Sequence, residues 1–182
     1  MSSVSGGEKL KAHLARLAAN LASAKSVSVG FLDRATYANG ENAARLLARA
    51  KTAAKDGHPE WTARLTAWGN WSLTHGGTVG IAQVAFWMEF GTTRTAPRPF
   101  FRQTIVMYSG EWGQDLAKFL KTAKYDARIA LGRLGLRVSE QIRTSIIDWA
   151  ADNRPLTAYI KGFNHGLIDR GVMQHHVDSV VT

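Results

Sequence analysis

The sequence predicts an α+β fold, with several helices packed on a small antiparallel sheet and an inserted appendage. Three observations lead there. Leu131, Leu134, Val138, Ile142, Ile146 and Trp149 recur at steps of three and four, which gathers apolar side chains on one helical face. Ile81, Val84, Ala85 and Met88 do the same over a shorter stretch. The chain also alternates near both ends, with Val27, Val29 and Phe31 set against Ser28 and Gly30, and again over 177–181. A period of two is that of a half-buried strand. Four or five helices with few strands make the class α+β.

Taken in order, residues 1–7 are small and polar, ending in Gly6-Gly7, and are expected to be disordered. A helix is expected over 8–24, because Leu10, Leu14, Leu17 and Leu21 form one seam while Lys9, Lys11 and Arg16 lie off it. The first strand follows over 26–32. Asn39-Gly40 marks a tight turn, and Ala43, Leu46, Leu47 and Ala50 give a helix over 41–54. After the Asp56-Gly57-His58-Pro59 break, Trp61, Leu65 and Trp68 suggest another helical turn or two, and Trp71 precedes a flexible His75-Gly76-Gly77 joint. Three tryptophans so close together have two readings: a satellite core, or anchors at an interface, where Trp is over-represented.

The helix beginning at Ile81 is stopped by Gly91, the residue type that most readily closes a helix. Thr92 to Ala96 is small and polar around Arg94. Pro97 and Pro99 then stiffen the chain, and Phe100 and Phe101 anchor it. Beyond Arg102 a helix runs toward Tyr108, is loosened at Gly110, and resumes over 111–121 on Trp112, Leu116, Phe119 and Leu120. The long helix spans about 125–150. Gly132 and Gly135 within it mark either close helix packing or a bend. Asn153-Arg154-Pro155 ends it, 156–164 reads as loop, and Asp169 is a candidate N-cap for a short helix through His176. The last strand should pair with the first or with its neighbour.

With 182 residues and an apolar fraction of 45%, the chain suits one domain with an appendage. No apolar run has the length of a membrane span, the first residues lack a signal peptide's apolar segment, and there is no cysteine. Synthesis inside a cell is the expectation. The net charge of +9 invites a nucleic-acid reading. The charge is spread, at +2 over 1–33, +3 over 34–72, +1 over 73–120 and +3 over 121–182, with no basic run interleaved with aromatics. A diffuse positive field around a channel carrying DNA, or facing an acidic partner, fits this better than dedicated DNA binding.

Catalytic content is thin. His175 and His176 are adjacent, so on a helix they diverge by about 100° and do not converge with Asp178 on one ion. The HExxH, CxxC and glycine-rich phosphate motifs are missing. Glu89 sits beside aromatics with no second acid or histidine at a catalytic spacing, which favours a structural, hydrogen-bonded carboxylate. Ser145 and Ser179 have no nucleophile elbow. The chain is expected not to be an enzyme and to need no cofactor or metal. Arg94 alone reads as solvated charge. Arg98 and Arg102 flank two phenylalanines, where guanidinium forks commonly tie loops to carboxylates across an interface.

Glu89-Phe90-Gly91-Thr92, a short loop, then Pro97-Arg98-Pro99-Phe100-Phe101-Arg102, and later Gly166-Leu167-Ile168-Asp169-Arg170-Gly171, together resemble the signature of tailed-bacteriophage tail-completion or neck (head-tail joining) proteins. That family is itself loosely similar to the minor tail protein Z of phage lambda. With the first strand added, the resemblance covers 26–34 and 78–182. The family usually has threonine at the place of Arg170, and a much shorter connection in place of 34–77.

The resemblance implies a body of 1–33 and 78–182 with 34–77 inserted. It also implies a virion protein of the neck, made in the host cytoplasm. Copies would form a ring joining the head-connector or head-closure protein to the tail terminator protein, around DNA that passes without sequence-specific binding. The expected interface residues are Thr92, Thr93, Arg94, Arg98 and Arg102, with Trp61, Trp68 and Trp71 from the insertion. The expected motif framework is Glu89, Phe90, Gly91, Pro97, Pro99, Phe100, Phe101, Asp169 and Gly171. The competing expectation is a small basic DNA-binding protein, which the salt dependence of binding separates from the first.

Overall fold

The computed structural model describes residues 7–32, 34–37 and 39–182, with the side chains of 39–41 left aside. The expectation of disorder over 1–7 lies outside these residues except at Gly7, which is the first residue of a helix. The fold is α+β, with eight helices and two small antiparallel sheets among the described residues. The chain divides into two compact units, 1–32 with 101–145 and 177–182, and 33–100 with 146–176. The segment 34–77 is therefore part of the second unit and does not form a unit by itself.

In the first unit, β1 (Val27–Gly30) pairs antiparallel with β4 (Asp178–Val181), Val27 opposite Val181 and Gly30 opposite Asp178. The ladder is extended by the amides of Lys25 and Ser26 donating to Thr182 O at 2.7 and 3.1 Å. Helix α6 (Ala127–Ile147) lies on this sheet. A Cβ at Gly135 would stand 2.8 Å from Ser179 Cβ and from Val27 Cγ2. Of the two readings for this glycine, close packing is the one the structure adopts. Ala130, Leu134, Val138 and Ile142 are buried along the same helix, one turn apart as the spacing requires.

Helix α5 (Phe100–Thr122) runs through Gly110 and Gly113 without the expected interruption. Its solvent side carries both glycines, so no neighbour forces a break. The indole of Trp112 donates to Gln141 Oε1 at 2.9 Å, and Asp115 pairs with Arg137 at 2.6 Å, tying α5 to α6. Helix α1 (Gly7–Leu21) forms where expected and buries no residue; Leu10, Leu14 and Leu21 are exposed.

In the second unit, α2 (Asn39–Lys55) packs on α3 (Pro59–His75). The helix starts at Asn39, where a tight turn was expected. The approach is close at Gly69, where a Cβ would lie 2.7 Å from Leu47 Cγ. Leu46, Ala50 and Ala53 of α2, Leu65 of α3 and Ile160 of α7 (Pro155–Lys161) form the core, flanked by Trp61, Leu156 and Tyr159. Helix α7 occupies the expected loop 156–164. Pro155 at its first turn lacks an N–H that would go unused there, and Gly162 closes it at φ 84°. The short strands β2 (Thr36–Tyr37) and β3 (Val79–Gly80) pair antiparallel just ahead of α4 (Ile81–Phe90), and α8 (Val172–His175) follows the 166–171 turn.

Candidate interaction site

Helix α4 buries Ile81, Ala85 and Glu89 on one side and turns Phe86, Trp87 and Phe90 outward. Phe86 and Phe90, one turn apart, hold their rings 4.7 Å from centre to centre on the surface. Phe90, expected in the motif framework, is thus 53% exposed. Glu89 is buried and partnered, in line with a structural carboxylate.

Gly91 stops the helix at φ 77°, its amide donating to Trp87 O at 2.9 Å. A Cβ here would sit 2.9 Å from both Pro97 N and Thr95 O, so no larger residue fits the turn. The loop beyond closes on itself. The Thr92 amide donates to Thr95 O at 2.9 Å and the Thr95 amide to Thr92 O at 3.3 Å. Thr92 Oγ1 also accepts from the Arg94 and Thr95 amides at 3.2 and 3.1 Å, a side chain doing the work of a turn. Thr92, Thr93, Arg94, Ala96 and Pro97 are exposed at the tip.

Arg98 departs from the expectation of an interface cation. It is 9% exposed, its Nε donates to Asp152 Oδ2 at 2.7 Å, Nη1 contacts Met88 Sδ at 3.3 Å, and its amide donates to Met88 O at 2.7 Å. Asp152 also accepts from Trp149 Nε1 at 3.3 Å. Burial opposes ionisation of Asp152. The hydrogen bonds from Arg98 and Trp149, with the Arg98 charge, outweigh it and hold the carboxyl below the usual carboxylate range. Arg98 is consumed inside its own unit, which leaves Arg94 as the loop's exposed charge. Arg102, in the first turn of α5, is exposed and has a partner. Pro99 is half-buried and Phe100 fully buried, whereas Phe101 is only half-buried, beside Gly30 of β1.

The tryptophans split. Trp61 is sandwiched by His58, with ring centres 4.3 Å apart, and Tyr159, at 5.0 Å, over the Leu46–Leu65 core, so it belongs to packing. Trp68 and Trp71 are more than half exposed and border a cleft of about 410 Å³, with His75, Arg45 and Asp169 on its walls. Trp71 stacks on His75 at 5.2 Å.

Asp169 is not an N-cap. Both its oxygens accept from Arg45, at 2.7 and 2.8 Å. The cap position of α8 is Gly171 at φ 74°, without a side-chain bond. A bidentate guanidinium partner is a stronger claim on the carboxylate than the amides of a four-residue helix.

Three further residues hold the turn, Lys161, His165 and Asn153, of which only Asn153 had an expected role, as part of a helix stop. Lys161 Nζ donates to His165 O and Ile168 O, both at 2.8 Å. Burial pushes its ammonium below the ordinary lysine value, with Asp169 opposing. His165 Nδ1 accepts from the amides of Leu167 and Ile168. Its Nε2 lies 2.7 Å from Ile147 O and must donate to it. Asn153 Nδ2 donates to His165 O at 2.7 Å. No spacing or motif marks them, because each bonds backbone carbonyls or amides brought near only by the fold.

Among the described residues no group of three His, Cys, Asp or Glu converges as a metal site, and no helix is long and apolar enough to cross a membrane. The site is a loop closed by its own hydrogen bonds on a buried root, with an open aromatic cleft in the same unit. No family model, curated protein or solved structure matches the chain.

Proposed function

We propose that the chain is a structural subunit of the tailed-phage neck. Copies assemble as a ring between the head-connector or head-closure protein and the tail terminator protein, around the DNA channel. One observation supports this best: the parts 89–100 and 166–171 of the motifs that carry the resemblance, distant in sequence, both lie in the second unit and are linked there. The Arg98 amide bonds Met88 O, next to Glu89, and its guanidinium holds Asp152. The Gly166 amide donates to Ala150 O at 3.2 Å, and a Cβ on Gly166 would strike the Asp152 carboxylate and come within 2.8 Å of Trp149. Helix α8, just beyond the 166–171 turn, packs against α4. Segments joined in this way serve one local architecture, which is what a signature of ordered motifs requires.

The mechanism is geometric. The loop 92–97 is closed by its own hydrogen bonds, so little conformational entropy is lost when it docks. Trp68 and Trp71 supply the large aromatic area that dominates contact energies. A ring then closes by repetition of one heterologous contact. The test is electron microscopy of phage particles assembled without this protein. Separate filled heads and finished tails are expected, and normally joined virions would overturn the reading.

A further inference from the structure

The first unit carries twelve Lys and Arg against six Asp and Glu, and its cations gather at one corner. Helix α5 ends at Thr122 and α6 begins at Ala127. Between them Lys124 and Tyr125 both adopt positive φ, 53° and 65°. Two successive residues with a Cβ in the left-handed region are uncommon and persist only where the surroundings fix them.

Here the surroundings do fix them. The Tyr125 amide donates to Leu120 O at 2.7 Å and the Lys124 amide to Lys121 O at 3.2 Å. Asn20 Nδ2 donates to Lys124 O at 3.3 Å, and Ser23 Oγ donates to Asp126 Oδ1 at 3.2 Å. The turn thereby presents the Lys124 and Tyr125 side chains to solvent, Tyr125 at 44% exposure.

Around this tip stand Lys118, Lys121, Arg128 and Arg133, all exposed. Arg133 Nη1 is pinned to Thr122 Oγ1 at 2.8 Å, and Arg128 Nη2 to Ser23 O at 3.1 Å. Both guanidinium groups are thus held at the corner by neutral acceptors that leave their charge intact. The nearby acids are already engaged: Asp126 bonds Ser23 and caps the Ile129 amide at 3.1 Å, and Asp115 is shared between Arg137 at 2.6 Å and Lys118 at 3.7 Å, so that Lys118 is the one lysine of the corner with an acid beside it. Among the described residues neither Lys121 nor Lys124 has a carboxylate within ion-pair distance.

We infer that the α5–α6 corner is a binding surface for the phosphate backbone of double-stranded DNA, read without regard to base sequence. A protein partner fits less well. Lysine is depleted at protein interfaces, whose centres are apolar and aromatic, whereas three of these five cations are lysines on exposed stems. A duplex offers phosphates at high and regular density, to which such a one-signed surface is matched, and Tyr125 adds a hydroxyl that can donate to a phosphate oxygen. The inference rests on the neck reading only in naming the face along which that reading's DNA runs.

The experiment titrates the purified full chain into a short labelled duplex of arbitrary sequence over a range of salt concentrations. It is repeated with K121E/K124E and, as a control of equal charge change, with K51E/K55E on α2. B-DNA gives a slope of about −0.9 in log K against log salt per phosphate neutralised. The corner variant should therefore lose about 1.8 from the slope and bind at least tenfold more weakly, while the control keeps the wild-type slope. Should K121E/K124E melt abnormally, K121Q/K124Q replaces it, with the same expectation for the slope. Equal losses in both double variants, or none in either, overturn the proposal. Polyglutamate binding more tightly than the duplex, with the same dependence on Lys121 and Lys124, also overturns it in favour of an acidic protein. Because no particle is assembled in this assay, its failure leaves the joining result untouched, and a failure of joining leaves this result untouched.

Discussion

The loop 91–100 and the tryptophan-bearing helix α3 invite comparison, since both combine residues typical of interfaces with a break in the chain. Each divides into a root and a tip. In the loop, Arg98 and Phe100 are buried while Thr92, Thr93 and Arg94 stand exposed. In α3, Trp61 packs between His58 and Tyr159 while Trp68 and Trp71 border an open cleft. The tips differ in kind, one small, charged and closed by its own backbone, the other broad and aromatic. Residue type alone does not decide between core and interface. The neighbour that the backbone brings within reach does, and for Arg98 that neighbour is Asp152 in its own unit.

The largest expected effect separates root from tip in the loop. Phe100→Ala removes a fully buried ring and should cost about 3–5 kcal/mol, whereas half-buried Phe101→Ala should cost about 1–2 kcal/mol. Equal shifts in chemical denaturation would break the distinction. In α3, Trp61→Ala should cost about 2 kcal/mol through lost packing, while Trp68→Ala and Trp71→Ala stay within about 0.5 kcal/mol, as surface changes do. Melting curves of the three variants check this directly.

A smaller effect sharpens the contrast between the two arginines. Arg98→Ala leaves the Asp152 carboxylate without its partner and should cost about 1–2 kcal/mol, once the partial exposure of Asp152 is discounted. Arg94→Ala should change stability by less than about 0.5 kcal/mol. The Arg98 effect also depends on pH in a defined direction. The folded carboxyl titrates below its unfolded value, which is about 3.9 for Asp. Its stabilisation is therefore complete above roughly pH 4 and is lost as pH falls through the folded value. The difference in melting between wild type and Arg98→Ala should be widest near neutral pH and narrow on acidification below that point. A constant gap would mean that packing of the Arg98 stem dominates.

What the sequence made legible follows from periodicity. The stripe from Leu131 to Ile146, the inner face of α4 and the alternation at both chain ends each repeat often enough to declare their element, whereas Trp149, expected in the same stripe, lies beyond the end of α6 at Ile147. The pairing of β1 with β4 followed because both alternate and the chain has few strands. Helix α7 was not legible, since its seven residues give too few apolar positions to set a period. Pro155, expected to close the long helix, lies well beyond its end at Ile147 and opens α7 instead. The Arg45–Asp169 pair joins residues 124 apart, which local reasoning cannot reach, so Asp169 was assigned to the nearest amides instead. The basic corner was hidden for a similar reason. Its cations are separated along 118–133, and only the turn at Lys124 and Tyr125, with no glycine to announce it, brings them together.

The central claim is that the exposed tip of the loop meets a partner in the assembled neck. Thr93 and Arg94 are the positions that test it, because Thr92 Oγ1 closes the turn and Arg98 supports the fold. The measurement is the yield of joined particles from phage carrying Thr93→Glu with Arg94→Glu, after the purified variant has been shown to melt as wild type does. The account predicts accumulation of separate heads and tails. Wild-type yield from a fully folded variant would contradict it and place the contact surface elsewhere on the chain.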